Sequence, residues 1–356
     1  MQALARPLLH GASRLVLACA LAPLAFIALD LGYRAQLHRP LLALDDWRTA
    51  RIERLMFGDR AQFDPVLGWA PREDYQGGDY NTLDLGVRRN FGEDEIRTGG
   101  VLAVGDVFTE GGVEVVDSET WPAHLERMTG EPVVNAGVAG YAADQIVLRA
   151  EQLLPRVRPT TLVVGLFEET IARTGQSFFG SSKPYFTLAD GQLAYHAPRR
   201  AEPDALSGWQ AGMRDVLGRS AVLDVVLSRL APAYWQGKAG EGVFLSAANE
   251  PAAVACALLE RVAKRAGGEG VRVLLLLQHA RQTVFDRTEP RDEVKKVAAC
   301  AAVAGIEVLD QFDSLRGLAI ANPGAVNDLY LTDGYAQMTS TGNWHTADLV
   351  ARALNK

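Results

Sequence analysis

The side chains of this chain that could do chemistry are mostly carboxylates. Asp106, Glu110, Glu168, Glu169 and Asp333 each follow a short apolar run or sit in a turn. Two carboxylates at the right separation support glycosidase-like acid–base work. A cluster of them favours a hard cation. Each also has a plainer reading: Asp106 satisfies loop N–H groups, and Glu110 is solvated. Thr109 offers a hydroxyl that could point into a cleft, although capping the following segment is the plainer role. Of the six histidines, His279 is the best spare base, because it follows an apolar run. His124, His196 and His345 fall in a predicted helix, a hairpin and the predicted final helix. The three cysteines are too few and too scattered for a disulfide scaffold or a zinc knuckle. Cys19 lies in an apolar N-terminal stretch. Cys256 and Cys300 read as core thiols in helices, with a 256–300 disulfide as the alternative. No cofactor site and no metal ligand set is assigned.

These residues need a scaffold, and the apolar pattern supplies one. Val101 to Gly105, Pro132 to Asn135, Thr161 to Gly165, Val271 to Leu277 and Ile306 to Leu309 read as buried strands. Helices are predicted at 119–129, 143–154, 250–266, 291–304 and 342–354, with Pro155 and Pro159 ending the second. Alternation of this kind predicts a parallel sheet covered on both faces, with ligands beyond the carboxyl ends of its strands. The loops after Gly105, Asn135, Gly165 and Leu309 are therefore the places for chemistry. Residues 58–97 read as an extended wrap. Residues 174–249 interrupt the alternation, with a hairpin around Asp190-Gly191 and an amphipathic helix over 209–230. The insertion leaves from the active-site edge, as a lid or partner surface would.

The strand ends carry a resemblance. Val101-Leu-Ala-Val-Gly105-Asp106-Val107-Phe-Thr109 resembles the first block of the SGNH (GDSL-type) hydrolases, in which a strand ends in Gly-Asp-Ser. Glu119-Thr-Trp-Pro122 resembles the helix that follows. Val134-Asn135-Ala-Gly-Val-Ala-Gly140 resembles the second block, whose glycine donates to the oxyanion. Gly165-Leu-Phe-Glu168-Glu169-Thr170-Ile-Ala-Arg173 resembles the third, normally ending in Asn-Asp. Asp333-Gly-Tyr-Ala-Gln337-Met-Thr-Ser-Thr-Gly342 resembles the last, where Asp-x-x-His precedes a helix. Asp64-Pro-Val-Leu-Gly68-Trp69 and Asn81-Thr…Leu85-Gly-Val-Arg88 look like the lead-in of membrane-anchored bacterial members. The resemblance implies an α/β fold: a three-layer α/β/α domain with a five-stranded parallel sheet, the SGNH-hydrolase (flavodoxin-like) fold.

The chemistry departs from that pattern. The serine position holds Val107, which has no attacking atom. The histidine position holds Gln337, which takes no proton at neutral pH. The asparagine position holds Glu169, whose negative charge opposes a developing oxyanion. The Asp that orients the histidine falls at Gly334, beside Asp333. Only the glycine donor, Gly140, is kept. Loss of nucleophile and base leaves on the order of 10³–10⁴-fold catalysis over water in such sites, so the family's ester hydrolysis is not expected by the family's route.

The N-terminus sets the context. Leu15 to Leu29 carries no charge, and apolar character continues to Tyr33 with only Asp30 interrupting it. That is near the minimum for a spanning helix. Arg6 and Arg14 favour a cytoplasmic N-terminus, whereas Arg34, Arg39, Arg48, Arg51 and Arg54 pull the other way. Residues 41–57 read as a juxtamembrane helix. The expected division is an anchor over 1–34, a lead-in over 35–97, and the SGNH-like domain over 98–356. At 48% hydrophobic and 22% charged, the 356-residue chain cannot be wholly disordered. Its net charge of −7, without a basic run, argues against nucleic acid. The expectation is a bacterial inner-membrane, single-pass protein with a periplasmic domain that binds a glycan or an envelope protein without catalysis. The rival expectations are an esterase or O-acyltransferase with a rewired site, and a structural subunit of a membrane assembly.

Overall fold

The structure is a computed structural model that describes residues 5–37, 41–42, 47–48, 50–51, 58–198, 208–236, 250–331 and 337–355, without the side chains of 5–20 and 211. Most of the expected juxtamembrane helix, together with Asp333 and Gly334, lies outside the described residues. In chain order the elements are α1 (Ala5–Gln36), β1 (Ala61–Asp64), β2 (Gly68–Pro71), β3 (Val101–Val104), α2 (Val107–Glu110), α3 (Trp121–Thr129), β4 (Val133–Asn135), α4 (Ala143–Val157), β5 (Thr161–Phe167) and α5 (Glu168–Ala172). The inserted segment contributes β6 (Phe178–Phe179), β7 (Ser181–Ser182), β8 (Tyr185–Ala189), β9 (Gln192–His196), α6 (Trp209–Leu217), α7 (Ala221–Leu230) and α8 (Pro232–Gln236). Then follow α9 (Pro251–Gly267), β10 (Arg272–Gln278), α10 (Arg281–Asp286), α11 (Asp292–Val303), β11 (Glu307–Asp310), α12 (Phe312–Ala321), α13 (Pro323–Asn327) and α14 (Ser340–Leu354).

Five strands form one parallel sheet in the order β11-β10-β5-β3-β4. Numbered by appearance this is 2-1-3-4-5, the flavodoxin-like order. Alternate side chains go to opposite faces. Leu102, Val104, Leu162, Val164, Leu275 and Leu277 pack with α4, α9 and α11, whereas Val101, Ala103, Val163, Leu274 and Leu276 pack with α3 and α14. The result is a three-layer α/β/α, flavodoxin-like fold, the layering and strand number that the resemblance implies.

Several local expectations change. The third strand runs on to Phe167, because β10 pairs with it as far as Gln278↔Phe167. Pro155 does not end α4. It sits exposed in the last turn, and the helix closes at Arg158 in a left-handed conformation (φ 50°). The single helix expected over 209–230 is two helices, because the chain turns at Gly218 and Ser220 caps α7 by accepting from Leu223 N at 3.1 Å. The hairpin β8–β9 turns at Asp190 and Gly191 with φ 50° and 75°, as a type I′ turn requires. Within 58–97 a small hairpin, β1–β2, replaces part of the expected extended wrap.

The cysteines are also corrected. Cys256 on α9 and Cys300 on α11 form a disulfide, with Cα atoms 5.8 Å apart. Two neighbouring helices on one sheet face bring together thiols 44 residues apart in sequence.

The chain divides into two compact units, one within Met1–Met56 and Ala201–Glu241, the other within Phe57–Arg200 and Gly242–Lys356. The second contains the sheet. The first is helical and held by polar ties. Arg51 grips Asp224 through three contacts of 2.7–2.9 Å, Trp235 Nε1 donates to Asp224 at 2.9 Å, and Arg48 donates to the Trp235 carbonyl at 2.6 Å. Among the described residues, no helix is long and apolar enough to cross a membrane.

The disulfide gives a direct expectation. Denatured, unreduced protein should expose one reactive thiol, Cys19, and three after reduction. Cys256→Ser should lower the unfolding free energy by about 2–4 kcal/mol. Three reactive thiols before reduction would refute the pairing.

Candidate functional site

The family positions lie where the parallel sheet ends. β3 stops at Val104, Gly105 turns, and Asp106 caps α2 by accepting from Phe108 N at 3.1 Å. The turn is pressed tightly onto the sheet. A Cβ on Gly165 would sit 2.6 Å from Thr109 Oγ1, and one on Gly105 would collide with the same side chain. On the other side, a Cβ on Gly137 would come 2.6 Å from the Thr109 carbonyl carbon and 2.8 Å from Glu110 Cα. Thr109 is fully buried in this packing. It neither caps a helix nor points into a cleft, since Asp106 is the cap.

Val107 opens α2 at the nucleophile position. It is half-buried and packs against the apolar group of Phe108, Phe167, Ala280, Val284, Leu329, Tyr330 and Met338. Gly140 adopts a left-handed conformation (φ 81°), and a Cβ there would stand 3.3 Å from the Phe179 ring and 3.5 Å from that of Trp69. Glu169, at the asparagine position, pairs with Arg173 at 3.6 Å. The Gln337 amide lies against Gly112, 3.1 Å from where a Cβ would be.

Arg173 joins these parts. It lies 3.7 Å from Asp106 Oδ2, donates to the Tyr141 carbonyl at 3.2 Å, and stacks over Phe179 with 4.6 Å to the centroid. Asp106 Oδ2 also accepts from Thr170 Oγ1 at 2.7 Å, so one carboxylate ties the β3 turn to the β5 turn. Burial raises the Asp106 pKa, and Arg173, Thr170 and the Phe108 N–H offset only part of that. The i,i+4 spacing of Glu169 and Arg173 was a readable signal. Nothing in the sequence marked Phe179.

Among the described residues, the acidic side chains do not assemble into one cluster. Asp106 and Glu169 share Arg173, but Glu110 and Glu168 belong to separate networks. Glu110 is buried and accepts from Tyr80 Oη at 3.2 Å. The Tyr80 ring lies between the guanidinium groups of Arg60 and Arg88, at 4.8 and 4.7 Å. Burial raises the Glu110 pKa against the pull of Arg60 and Arg88. Arg88 is itself buried. It donates to the carbonyls of Glu110, Gly112, Val115 and Asp79 and to Asp117 Oδ1, over 2.6–3.1 Å.

His279 is not a spare base. It is fully buried, and its Nε2 faces Asp310 Oδ1 at 2.7 Å. Its Nδ1 faces Glu168 Oε2 at 3.6 Å, too long for a hydrogen bond but close enough for attraction between charges. The Phe312 ring meets it edge-on at 5.3 Å. Glu168 Oε1 accepts from Thr283 Oγ1 at 2.7 Å and lies 3.3 Å from Arg291. Burial opposes charge on His279, but the Asp310 hydrogen bond and the nearby Glu168 outweigh it and raise its pKa. Burial likewise opposes charge on Glu168, but His279, Thr283 and Arg291 outweigh it and lower its pKa.

No family model matches the sequence, and no curated protein matches it. Solved structures do. An acetyl xylan esterase is similar at 14% identity and a TM-score of 0.42, over 72% of this chain and 99% of its own. A lipase/acylhydrolase from Enterococcus faecalis is similar at 15% identity and 0.38, over 72% and 95%. A GDSL-like lipase from Bacteroides thetaiotaomicron is similar at 15% identity and 0.34, over 72% and 87%.

Two outcomes follow from the geometry. Gly137→Ala should cost about 3 kcal/mol, because the added methyl meets backbone that cannot rotate away; an unchanged urea midpoint would contradict this. For His279 the raised folded pKa means its contribution is complete below the unfolded value and is lost as pH rises through the folded one. For Glu168 the lowered folded pKa means its contribution is complete above the unfolded value and is lost as pH falls through the folded one. The stability gap between the native chain and His279→Gln should therefore peak at about pH 5–6, reach about 3 kcal/mol, and shrink above neutrality. A gap that does not change with pH would contradict the charged triad.

Proposed function

We propose that this chain is a membrane-anchored, non-catalytic relative of the SGNH hydrolases that binds an envelope glycan at the strand-end edge of its sheet. One observation carries the reading. The nucleophile position is Val107, a half-buried side chain packed against an apolar cluster directly after the Asp106 cap. The turn keeps its shape and has nothing to attack with. Gln337 and Glu169 remove the base and reverse the charge at the oxyanion.

The surroundings suit a saccharide. Phe179 is exposed above Gly140, with Arg173 against its face and Glu169 paired with that guanidinium. An aromatic face next to a fixed guanidinium and a carboxylate offers a sugar both stacking area and hydrogen-bond partners. The disulfide supports a domain on the oxidising side of the inner membrane. The uncharged run Leu15 to Leu29 supports the single-pass anchor.

The test pairs turnover with binding, on an activated acetyl ester and a panel of acetylated polysaccharides, with and without divalent metal. The native chain should be silent in turnover and retained on at least one immobilised polysaccharide, with Phe179→Ala losing about tenfold in affinity, about 1.4 kcal/mol. The triple variant Val107→Ser, Glu169→Asn, Gln337→His should gain slow ester hydrolysis. Turnover by the native chain would sink the non-catalytic reading. No retention on any polysaccharide would move the ligand from glycan to partner protein.

A further inference from the structure

The helical unit carries an unusual distribution of apolar surface. In α1, every residue from Leu21 to Leu29 except Phe26 is exposed, and none is charged or polar. Bare on all sides and apolar on all sides, such a stretch has no single face for one protein to cover, and hydrocarbon is the medium that suits it. The continuous exposed run ends at Asp30. This carboxylate is buried, pairs with Arg34 at 2.8 Å, and accepts from Ser220 Oγ at 2.7 Å and Val222 N at 3.0 Å. Arg34 in turn donates to the Arg219 carbonyl at 2.5 Å. The junction of α6 and α7 is thus fastened where the bare stretch of α1 ends.

Both of those helices expose apolar faces of their own. On α6, Trp209, Met213 and Val216 follow the i, i+4, i+7 spacing of one stripe, with Trp209 71% and Val216 70% exposed. On α7, Val226 and Leu230 form the corresponding pair, with Leu230 79% exposed. Arg214, on the opposite side of α6, is buried.

We propose that α6 and α7 rest in the bilayer interface beside α1, with Trp209 at headgroup level, so that the inserted segment is a second membrane contact. This rests on the anchor reading of α1. Continuity points to the lipid surface: the junction of the two helices is fastened to α1 where the lipid-suited stretch ends, and amphipathic helices that carry an exposed tryptophan beside a membrane segment are suited to the interface.

The experiment uses the full chain in phosphatidylcholine vesicles with brominated acyl chains. Flotation reads the anchor, and quenching of tryptophan emission reads the seat. The native chain should float and be quenched. Trp209→Phe should float equally and lose about half of the quenching or more. Trp344→Phe, an exposed tryptophan on α14, should lose none. A Trp209→Phe chain that floats with undiminished quenching overturns the seat and leaves the anchor standing. A native chain that stays at the bottom of the gradient overturns the anchor itself, and the seat with it.

Discussion

The arrangement at the sheet edge depends on one steric constraint, the close approach of the turn after β3 to the two strands and the loop around it. Gly105 and Gly165 leave room for the Thr109 side chain, and Gly137 leaves room for the backbone of Thr109 and Glu110. Any side chain at these places would push α2 outward. With α2 seated, Asp106 reaches Thr170 and Arg173, and the β3 and β5 turns become one rigid unit. That unit fixes where Val107 and Glu169 stand. The geometry that would hold a nucleophile therefore persists through packing, whatever side chain occupies the position.

The site thus separates shape from chemistry. The buried charges are used for cohesion. Asp106 bonds across two turns, Glu110 bonds to a tyrosine held between two arginines, and Glu168 faces His279. All three are buried. Around Gly140, Phe179, Arg173 and Glu169 bring aromatic, cationic and carboxylate groups together.

Much of the scaffold was legible in the sequence because it rests on local patterns. Five apolar runs gave five strands of the sheet, and the Asp190-Gly191 pair gave its turn. Val107, Gly140 and Glu169, the positions that the resemblance blocks mark, lie in the segments that follow β3, β4 and β5. The misreadings share a cause, which is dependence on partners far along the chain. Cys256 and Cys300 meet only because α9 and α11 lie side by side. His279 looked available because its loop was visible and Asp310, 31 residues later, was not recognisable as its cover. The acidic residues looked like a cluster because they share a sheet edge, but their side chains leave it toward different partners. The break at Gly218 was hidden inside a hydrophobic period that both helices continue.

The Arg88 guanidinium has a consequence for descent. It gathers three carbonyls of the stretch from Glu110 to Val115 and the carboxylate of Asp117. The path of that stretch is written into main-chain oxygens, which every amino acid carries, and into an arginine from another part of the chain. Side chains along it can drift while its course is inherited unchanged. Selection acting on such a protein could discard a reactive residue one substitution at a time without ever passing through a misfolded ancestor.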